Sequence, residues 1–241
     1  MKLKDLSIER SLTAKHLGPR KLPVQGVILH DTAGSGKHND TRYLADPSDG
    51  RVVSVDFTVE RDGSIWQLNP DLKQYATWHA GRRTKFKGMS NRDVTRSCIG
   101  IEIVQSAKLP NPPYPAVQVD AVGQLCAALC GEFKLAPGDI TTHAAVITDG
   151  SRLDPRKFPF DAFWIAFNAA RGQGENAELA QTMPKIVEPT SPEEAYSVKA
   201  SDTLTKIAKQ FGVKVAALKA RNGLTSDLIL TGQALVIPAA P

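Results

Sequence analysis

The chain has 241 residues, of which 41% are hydrophobic and 23% are charged, proportions that are typical of a folded globular protein and argue against wholesale disorder. No apolar run approaches the roughly 20 residues that span a bilayer, and the N-terminal residues lack the apolar segment of a secretory signal. We therefore expect neither stable membrane insertion nor a signal peptide. The odd cysteine count, three, does not fit a disulfide framework and favours synthesis in a reducing compartment.

The net charge of +5 is concentrated near the C terminus, where six Lys or Arg residues and only two Asp residues follow residue 195. Such a basic segment favours a polyanionic surface: a cell wall, lipopolysaccharide or nucleic acid. Nucleic acid is the weaker choice, because Tyr196 and Phe211 are the only aromatic side chains in this segment and base stacking needs more of them.

The first part of the chain contains three segments with strand character. Residues 24–30 form an apolar run that predicts a buried strand ending at His30. Residues 52–59 alternate in part, and residues 61–64 supply a hairpin turn into a further strand at residues 65–68. These segments indicate a β-sheet in this part of the chain.

A further strand is predicted at residues 98–104 by its alternating side chains. Successive side chains of a strand point to opposite faces, so Gly100 and Glu102 share one face. The opposite face carries the apolar side chains Ile99, Ile101 and Ile103. Glu102 therefore points away from the apolar core.

Helical periodicity appears in two later segments. Residues 116–133 repeat apolar side chains at helical spacing, and they include Cys126 and Cys130, which we expect to pack inside the helix. Residues 160–170 predict a closing helix with its aromatic side chains turned inward. Because strands and helices interleave, we expect an α/β fold in which helices pack against a sheet.

The composition also predicts two domains. Residues 172–195 carry three prolines together with Gly, Glu, Thr and Ser, without long apolar periodicity, which is typical of a linker. We therefore predict a large domain at residues 1–171 and a small module at residues 196–241. The pattern of the module predicts a strand, two helices and a closing strand.

Three residues have the chemistry of metal ligands. His30 ends a predicted strand, His143 ends another short segment, and Asp154 follows after a loop. Two histidines and one carboxylate leave one open position on a tetrahedral zinc ion, which is the arrangement of a hydrolytic rather than a structural site. Spacing alone favours the alternative of unrelated polar residues, since two distant histidines and an aspartate occur in many proteins.

The sequence around these residues forms a series of five short motifs. In order, they are VILHDT at 27–32, WHAG at 78–81, CIGIEI at 98–103, TH at 142–143 and RLDP at 152–155. The series resembles the zinc-dependent N-acetylmuramoyl-L-alanine amidases, the type-2 amidase family related to peptidoglycan recognition proteins. The resemblance covers roughly residues 24–160.

This resemblance implies a mixed sheet flanked by helices and hydrolysis of the amide between the lactyl group of muramic acid and L-alanine. It identifies His30, His143 and Asp154 as ligands of Zn²⁺, and it places Glu102 at the catalytic acid/base position. There Glu102 would take a proton from the attacking water and later deliver one to the leaving amine. The alternative is a solvated strand carboxylate, and some members of the family use a tyrosine nearer the N terminus instead.

Arg152 stands where the family usually carries a lysine. A cation there would stabilise the oxyanion that develops on the scissile carbonyl. Arginine keeps the charge but is a planar fork, and a surface loop arginine is the alternative. The motif with Trp78 and His79 implies a position beside the cleft, so we expect His79 to form its wall or contact the substrate, and Trp78 to line the cleft or the core.

The C-terminal module resembles a LysM domain, a binder of glycans that contain N-acetylglucosamine. Its matching segments are YSV at 196–198, DTL at 202–204, IA at 207–208, FGV at 211–213, NGL at 222–224 and GQALVIP at 232–238. The resemblance implies a glycan groove between two loops that contain Ser201, Asp202, Thr203 and Leu204, and Leu228, Ile229 and Leu230. Ser201 replaces the usual glycine, which costs stability if that position needs a positive φ. The alternative is a generic small α+β interaction module.

These features predict a zinc amidase that binds peptidoglycan, both its muramyl peptide and its glycan, with no nucleic acid and no obligate protein partner. Without a visible signal peptide, we expect synthesis in the cytoplasm and action on the wall in the periplasm or outside the cell. A phage endolysin fits best, and a bacterial autolysin or secreted effector is the runner-up. The alternative from another class is a non-catalytic peptidoglycan recognition protein, which the complete ligand set argues against.

Overall fold

The computed structural model describes residues 1–34, 36, 39–106, 113–172, 194–199, 202–222, 224, 227, 229 and 234–237. Its helices are α1 (Asn39–Ala45), α2 (Arg92–Ser97), α3 (Ala116–Phe133), α4 (His143–Val146), α5 (Phe160–Ala170), α6 (Leu204–Gln210) and α7 (Val215–Arg221). Its strands are β1 (Ile8–Glu9), β2 (Gly18–Pro19), β3 (Gly26–Asp31), β4 (Phe57–Val59), β5 (Ile65–Gln67), β6 (Tyr75–Ala76), β7 (Lys85–Phe86), β8 (Met89–Ser90), β9 (Cys98–Ile103), β10 (Ile140–Thr142), β11 (Glu194–Ser197) and β12 (Ala234–Ile237). None of the helices in the described part of the chain is long and apolar enough to cross a membrane.

A six-stranded sheet with the order β1-β5-β4-β9-β3-β10 forms the centre of the fold. All neighbours in this sheet are parallel except β4 and β5, which form the antiparallel hairpin that the turn at residues 61–64 predicts. The sheet is therefore mixed and flanked by helices, which confirms the predicted fold class.

The apolar core lies between one face of this sheet and the helices α3 and α5. The isoleucines of β9 are fully buried there, together with Leu125 and Leu129 of α3 and Phe163 and Phe167 of α5. Cys126 and Cys130 lie in the same core as free thiols, as the helical pattern predicts. Burial of these large side chains supplies most of the favourable free energy of this packing.

Two parts of the sheet differ from the sequence prediction. The strand predicted at residues 52–59 begins only at Phe57. The preceding Ser54 instead forms hydrogen bonds with two separate loop segments. The Ser54 hydroxyl donates to the carbonyl of His16 and accepts from the amide of Trp78. The other difference is β1, which adds a parallel strand beside β5 and which the sequence pattern did not indicate.

The strand register brings the ends of three parallel strands together at one edge. His30 of β3 lies opposite Glu102 of β9, and Leu29 lies opposite Thr142, the last residue of β10. In open α/β sheets, ligands bind outside the carboxyl ends of the strands. This edge of the sheet is therefore where a functional site is expected.

The C-terminal module has the predicted strand, helix, helix, strand order. Its antiparallel strands β11 and β12 pair Tyr196 with Leu235, and α6 and α7 lie between them in sequence. The module has its own apolar cluster, with these buried members: Val198, Leu204, Ile207, Ala208, Leu218, Leu235 and Ile237. The βααβ prediction is confirmed.

Candidate metal centre and catalytic cleft

His30, His143 and Asp154 converge at the carboxyl edge of the sheet. The Nδ1 atoms of the two imidazoles lie 3.0 Å apart. Asp154 Oδ2 is 3.0 Å from His143 Nδ1 and 3.3 Å from His30 Nδ1. The three candidate ligand atoms thus form a small triangle, as the sequence predicts for a metal centre.

Local structure holds each of the three side chains. His30 is the penultimate residue of β3, and all six residues of this strand are buried. His143 begins α4, whose N-cap Thr142 accepts a hydrogen bond from the amide of Ala145 at 3.1 Å. The amide of Ala144 donates to the carbonyl of Asp154 at 3.1 Å, which ties the loop with the carboxylate to the helix with the imidazole.

A buried ion pair joins the residues beside two of these side chains. Asp31 follows His30, and its carboxylate accepts from the amide of Arg156 at 2.7 Å and from its Nε at 3.0 Å. A third bond runs from Arg156 Nη2 to Asp31 Oδ1. Sequence reasoning missed this pair, although both residues lie within two positions of a predicted ligand.

His79 lies next to His30 and also lines the cleft. Its Nδ1 is 3.1 Å from His30 Nε2, and its own Nε2 is 3.3 Å from the carbonyl oxygen of Cys98. Burial lowers the pKa of His79 to about 4, which keeps the ring neutral at physiological pH. His79 is 7% exposed and lines the cavity, which agrees with a place in the cleft wall, and it contacts the candidate ligand His30 as well.

A cavity of about 450 Å³ opens in front of the triangle. Its walls include Glu102, Trp78 and Arg152, all three of which the sequence analysis expects at or near the cleft. They also include residues of α1 and of the segment that follows it, which sequence reasoning missed: Tyr43, Arg51, Val52 and Val53. Asp49 links the helix to this segment, since it accepts hydrogen bonds from both the Tyr43 hydroxyl and Arg51 Nε. An isolated Asp-Gly turn was the only sequence signal for this segment.

Glu102 sits at the inner wall of this cavity, next to His30 in the sheet. Its Oε2 atom is buried and has no hydrogen-bond partner within the described residues. Burial raises the pKa of Glu102 well above the usual value, and the nearby charges of Asp154 and Asp31 raise it further, while that of Arg152 lowers it. Such a carboxyl holds its proton more readily than an exposed one.

The surroundings favour the neutral form of His30 and the ionised form of Asp154. Burial, followed by the proximity of His143, lowers the pKa of His30 to about 3. Burial also opposes ionisation of Asp154, but the two imidazoles overcome it and hold the pKa of that carboxyl well below its usual value. The triangle therefore combines a neutral His30 with an ionised carboxylate, the protonation states that metal ligands require.

The residues predicted for glycan binding are only partly described. Ser201, Leu228 and Leu230 lie outside the described residues. Leu204 is 2% exposed and packs in the module core, and Ile229 packs against the same core, so their place beside the glycan groove stays a prediction.

The two remaining residues of this set organise the loop between β11 and α6. The Asp202 carboxylate accepts from the Tyr196 hydroxyl at 2.7 Å and from the amide of Lys199 at 2.8 Å. The Thr203 hydroxyl accepts from the amide of Lys206 and caps α6. Both side chains thus make hydrogen bonds within the module rather than standing free at its surface.

Comparison with known proteins gives two family matches. The N-acetylmuramoyl-L-alanine amidase family matches residues 20–157, and the LysM domain matches residues 196–238. The chain is 30% identical over 218 residues to N-acetylmuramoyl-L-alanine amidase XlyA of Bacillus subtilis, covering 88% of this chain and 61% of that protein. The C-terminal module is 55% identical over 42 residues to an autolysin of Enterococcus faecalis, covering 17% of this chain and 6% of that protein.

The chain therefore spans less than two thirds of the length of either relative. Among solved structures, the selenomethionine derivative of AmpD superimposes with a TM-score of 0.54 at 20% identity, covering 70% of this chain and 98% of AmpD. This likeness shows a shared fold. Because the family match covers more than half of the chain, from before β3 to beyond Asp154, the chain belongs to the N-acetylmuramoyl-L-alanine amidase family.

Proposed function

We propose that this protein is a zinc-dependent amidase that hydrolyses the bond between N-acetylmuramic acid and L-alanine in peptidoglycan. The observation that carries the proposal is the convergence of His30 Nδ1, His143 Nδ1 and Asp154 Oδ2 within 4.8 Å of one another, beside Glu102 and at the floor of a cleft. The name of the relative XlyA and the family match support the same reaction.

The triangle fits zinc in both chemistry and dimensions. Imidazole nitrogen and carboxylate oxygen are common zinc donors, and three protein ligands are typical of catalytic sites. Tetrahedral bonds of about 2.0–2.1 Å place neighbouring donors about 3.3 Å apart, close to the 3.0 and 3.3 Å separations of this triangle. His30, His143 and Asp154 would hold the ion, which when bound polarises the scissile carbonyl and makes water more acidic.

Glu102 would move the protons of the reaction. In its ionised form it takes a proton from the attacking water, and in its protonated form it donates one to the leaving amine. The raised pKa of Glu102 favours the donating form, whereas the positive charge of Arg152 favours the accepting form. These opposing influences on the Glu102 proton suit a group that must both accept and donate one.

Arg152 and Trp78 would position the substrate. Arg152 lies exposed at the cleft, where its guanidinium can contact the carbonyl oxygen as negative charge develops on it. Trp78 also lines the cavity, and its apolar ring is suited to the sugar ring or the alanine methyl group.

The LysM module would hold the enzyme on its insoluble polymer. A tether raises the local concentration of the catalytic cleft near its bonds without any new contact in the cleft. We also propose domain boundaries at residues 1–171, 172–195 and 196–241, which the family matches at residues 20–157 and 196–238 support. A lytic role at the wall, as an endolysin or an autolysin, follows from this pairing of domains.

Metal analysis and wall digestion test the proposal together. The purified protein is expected to contain about one zinc per chain and to release free N-terminal alanine from purified peptidoglycan. A protein that binds no metal and leaves the wall intact, yet still sediments with it, would instead be a peptidoglycan recognition protein.

A further inference from the structure

We propose that His79 is a positioning residue, which selects the ring tautomer of His30 and so directs the lone pair of His30 Nδ1 at the metal centre. This proposal rests on the proposed function, because it assigns a task to a residue that supports the zinc site. It follows from a chain of hydrogen bonds that begins at the backbone of β9 and ends at the triangle.

The first bond settles the protonation of His79. A carbonyl oxygen can only accept, so His79 Nε2, which is 3.3 Å from the oxygen of Cys98, carries the hydrogen. A neutral imidazole has one N–H group, and its other nitrogen is an acceptor. His79 Nδ1 therefore presents a lone pair.

The second bond passes this asymmetry to His30. His30 Nε2 lies 3.1 Å from the lone pair of His79 Nδ1, so His30 Nε2 must donate. The other nitrogen of His30, Nδ1, is then without a hydrogen and faces His143 and Asp154. Ligating histidines usually donate their second N–H to a carboxylate, carbonyl or water, and here an imidazole takes that part.

The relay matters because the triangle itself favours the wrong tautomer. Asp154 Oδ2 lies 3.3 Å from His30 Nδ1 and would readily accept a hydrogen bond from it. In that tautomer Nδ1 has no free lone pair for a metal. The bond to His79 opposes this, since it is lost when the hydrogen of His30 moves from Nε2 to Nδ1.

Glycine at position 100 leaves the space that the ring of His79 occupies. A Cβ atom at Gly100 would approach within 2.5 Å of His79 Cγ and 2.7 Å of its Nδ1. Gly100 is fixed in place by its amide, which donates to the buried carboxylate of Asp56 at 2.8 Å. The rings of His79 and His30 meet nearly at right angles, with centroids 5.2 Å apart. The glycine of the CIGIEI motif is therefore required for the ring of the WHAG motif.

The test compares the full-length protein with two variants at His79. His79→Leu removes the acceptor at similar volume, and His79→Asn keeps an oxygen near the position of Nδ1. Leu125→Ala, a cavity variant on the opposite face of the sheet, controls for lost stability. Each protein is labelled with ¹⁵N-histidine, and the ring nitrogens of the metal-free form are recorded by NMR. Zinc affinity is measured by competition with a chelator.

In the wild type we expect His30 to carry its hydrogen on Nε2, and in His79→Leu to shift towards Nδ1. Zinc affinity should fall by about 10–100-fold in His79→Leu, the usual effect of removing such a partner. His79→Asn should recover most of it, and Leu125→Ala should bind zinc as the wild type does. A wild-type His30 protonated on Nδ1, or a His79→Leu variant with unchanged zinc affinity, would overturn the proposal.

The same measurements separate this inference from the proposed function. A protein that binds zinc through the predicted tautomer but leaves peptidoglycan intact would overturn only the amidase proposal. A protein that cuts peptidoglycan while His79→Leu keeps full zinc affinity would overturn only the role of His79. A wild type that binds no zinc would overturn both.

Discussion

The two faces of β9 have opposite composition and opposite tasks. Ile99, Ile101 and Ile103 are fully buried against the helical layer, where their only role is packing. On the other face Gly100 makes room for His79, and Glu102 lines the cleft. One strand thus separates stability from chemistry, because successive side chains point to opposite sides of the sheet.

The neighbouring strand β3 ends in two buried polar residues with different partners. His30 belongs to the triangle, whereas the next residue, Asp31, binds Arg156 beside the same cavity. Substitutions of Gly100 or Glu102 on the cleft face of β9 should therefore change the reaction, and substitutions of its isoleucines should change the free energy of unfolding.

Loss of a ligand should have the largest effect. His143→Ala is expected to abolish zinc binding and to reduce release of N-terminal alanine to background, because the triangle loses one of its three donors. Binding to purified wall through the LysM module should persist in a sedimentation assay. Retention of one zinc per chain in this variant would show that the metal centre lies elsewhere.

Glu102→Gln should leave zinc in place and slow the reaction by about 10²–10⁴-fold, the usual contribution of a general acid/base. Ile101→Val, at the adjacent position of the same strand, is the matched control. It should lower the free energy of unfolding by about 0.5–1.5 kcal/mol and leave the rate per folded molecule unchanged. Equal rates for the two variants would remove Glu102 from the mechanism.

Asp31→Asn should lower the free energy of unfolding by about 3–5 kcal/mol, because it leaves the Arg156 guanidinium buried without its counter-charge. The double variant Asp31→Leu, Arg156→Met should regain much of this stability, since paired apolar replacements are often neutral. Urea denaturation measures both. If the single variant is as stable as the wild type, the ion pair of Asp31 and Arg156 does not stabilise the folded protein.

Leu125→Ala should lower the free energy of unfolding by about 2–5 kcal/mol through the cavity it leaves beneath the sheet. Zinc affinity and the rate per folded molecule should stay at wild-type values. A large change in either would mean that the two faces are more strongly coupled than the alternation of β9 indicates.

The smallest effect is expected in the LysM module. Thr203→Ala removes the N-cap of α6 and should lower the stability of the module by about 0.5–2 kcal/mol, while Thr203→Ser should keep it. Thermal unfolding of the full chain and wall sedimentation would report this change. Amidase activity on small soluble muramyl peptides should not respond to it.

Much of the fold was predictable because periodicity is a local property. The helical repeat of residues 116–133 and the aromatic pattern of residues 160–170 correspond to α3 and α5 as observed. The alternation of residues 98–104 predicted which side of β9 faces the core. By contrast, the pairing of β1 with β5 depends on residues distant in sequence, so no local pattern indicated it.

The sequence by itself determined the family, the larger helices and central strands, and the residue types offered for metal binding, because these depend on short motifs and on side-chain identity. Only the tertiary structure decided that His30, His143 and Asp154 meet, that Asp31 binds Arg156, and that His79 contacts His30. The physical reason is that distances and hydrogen-bond directions between strand ends arise from sheet register, which is set by packing across the whole domain.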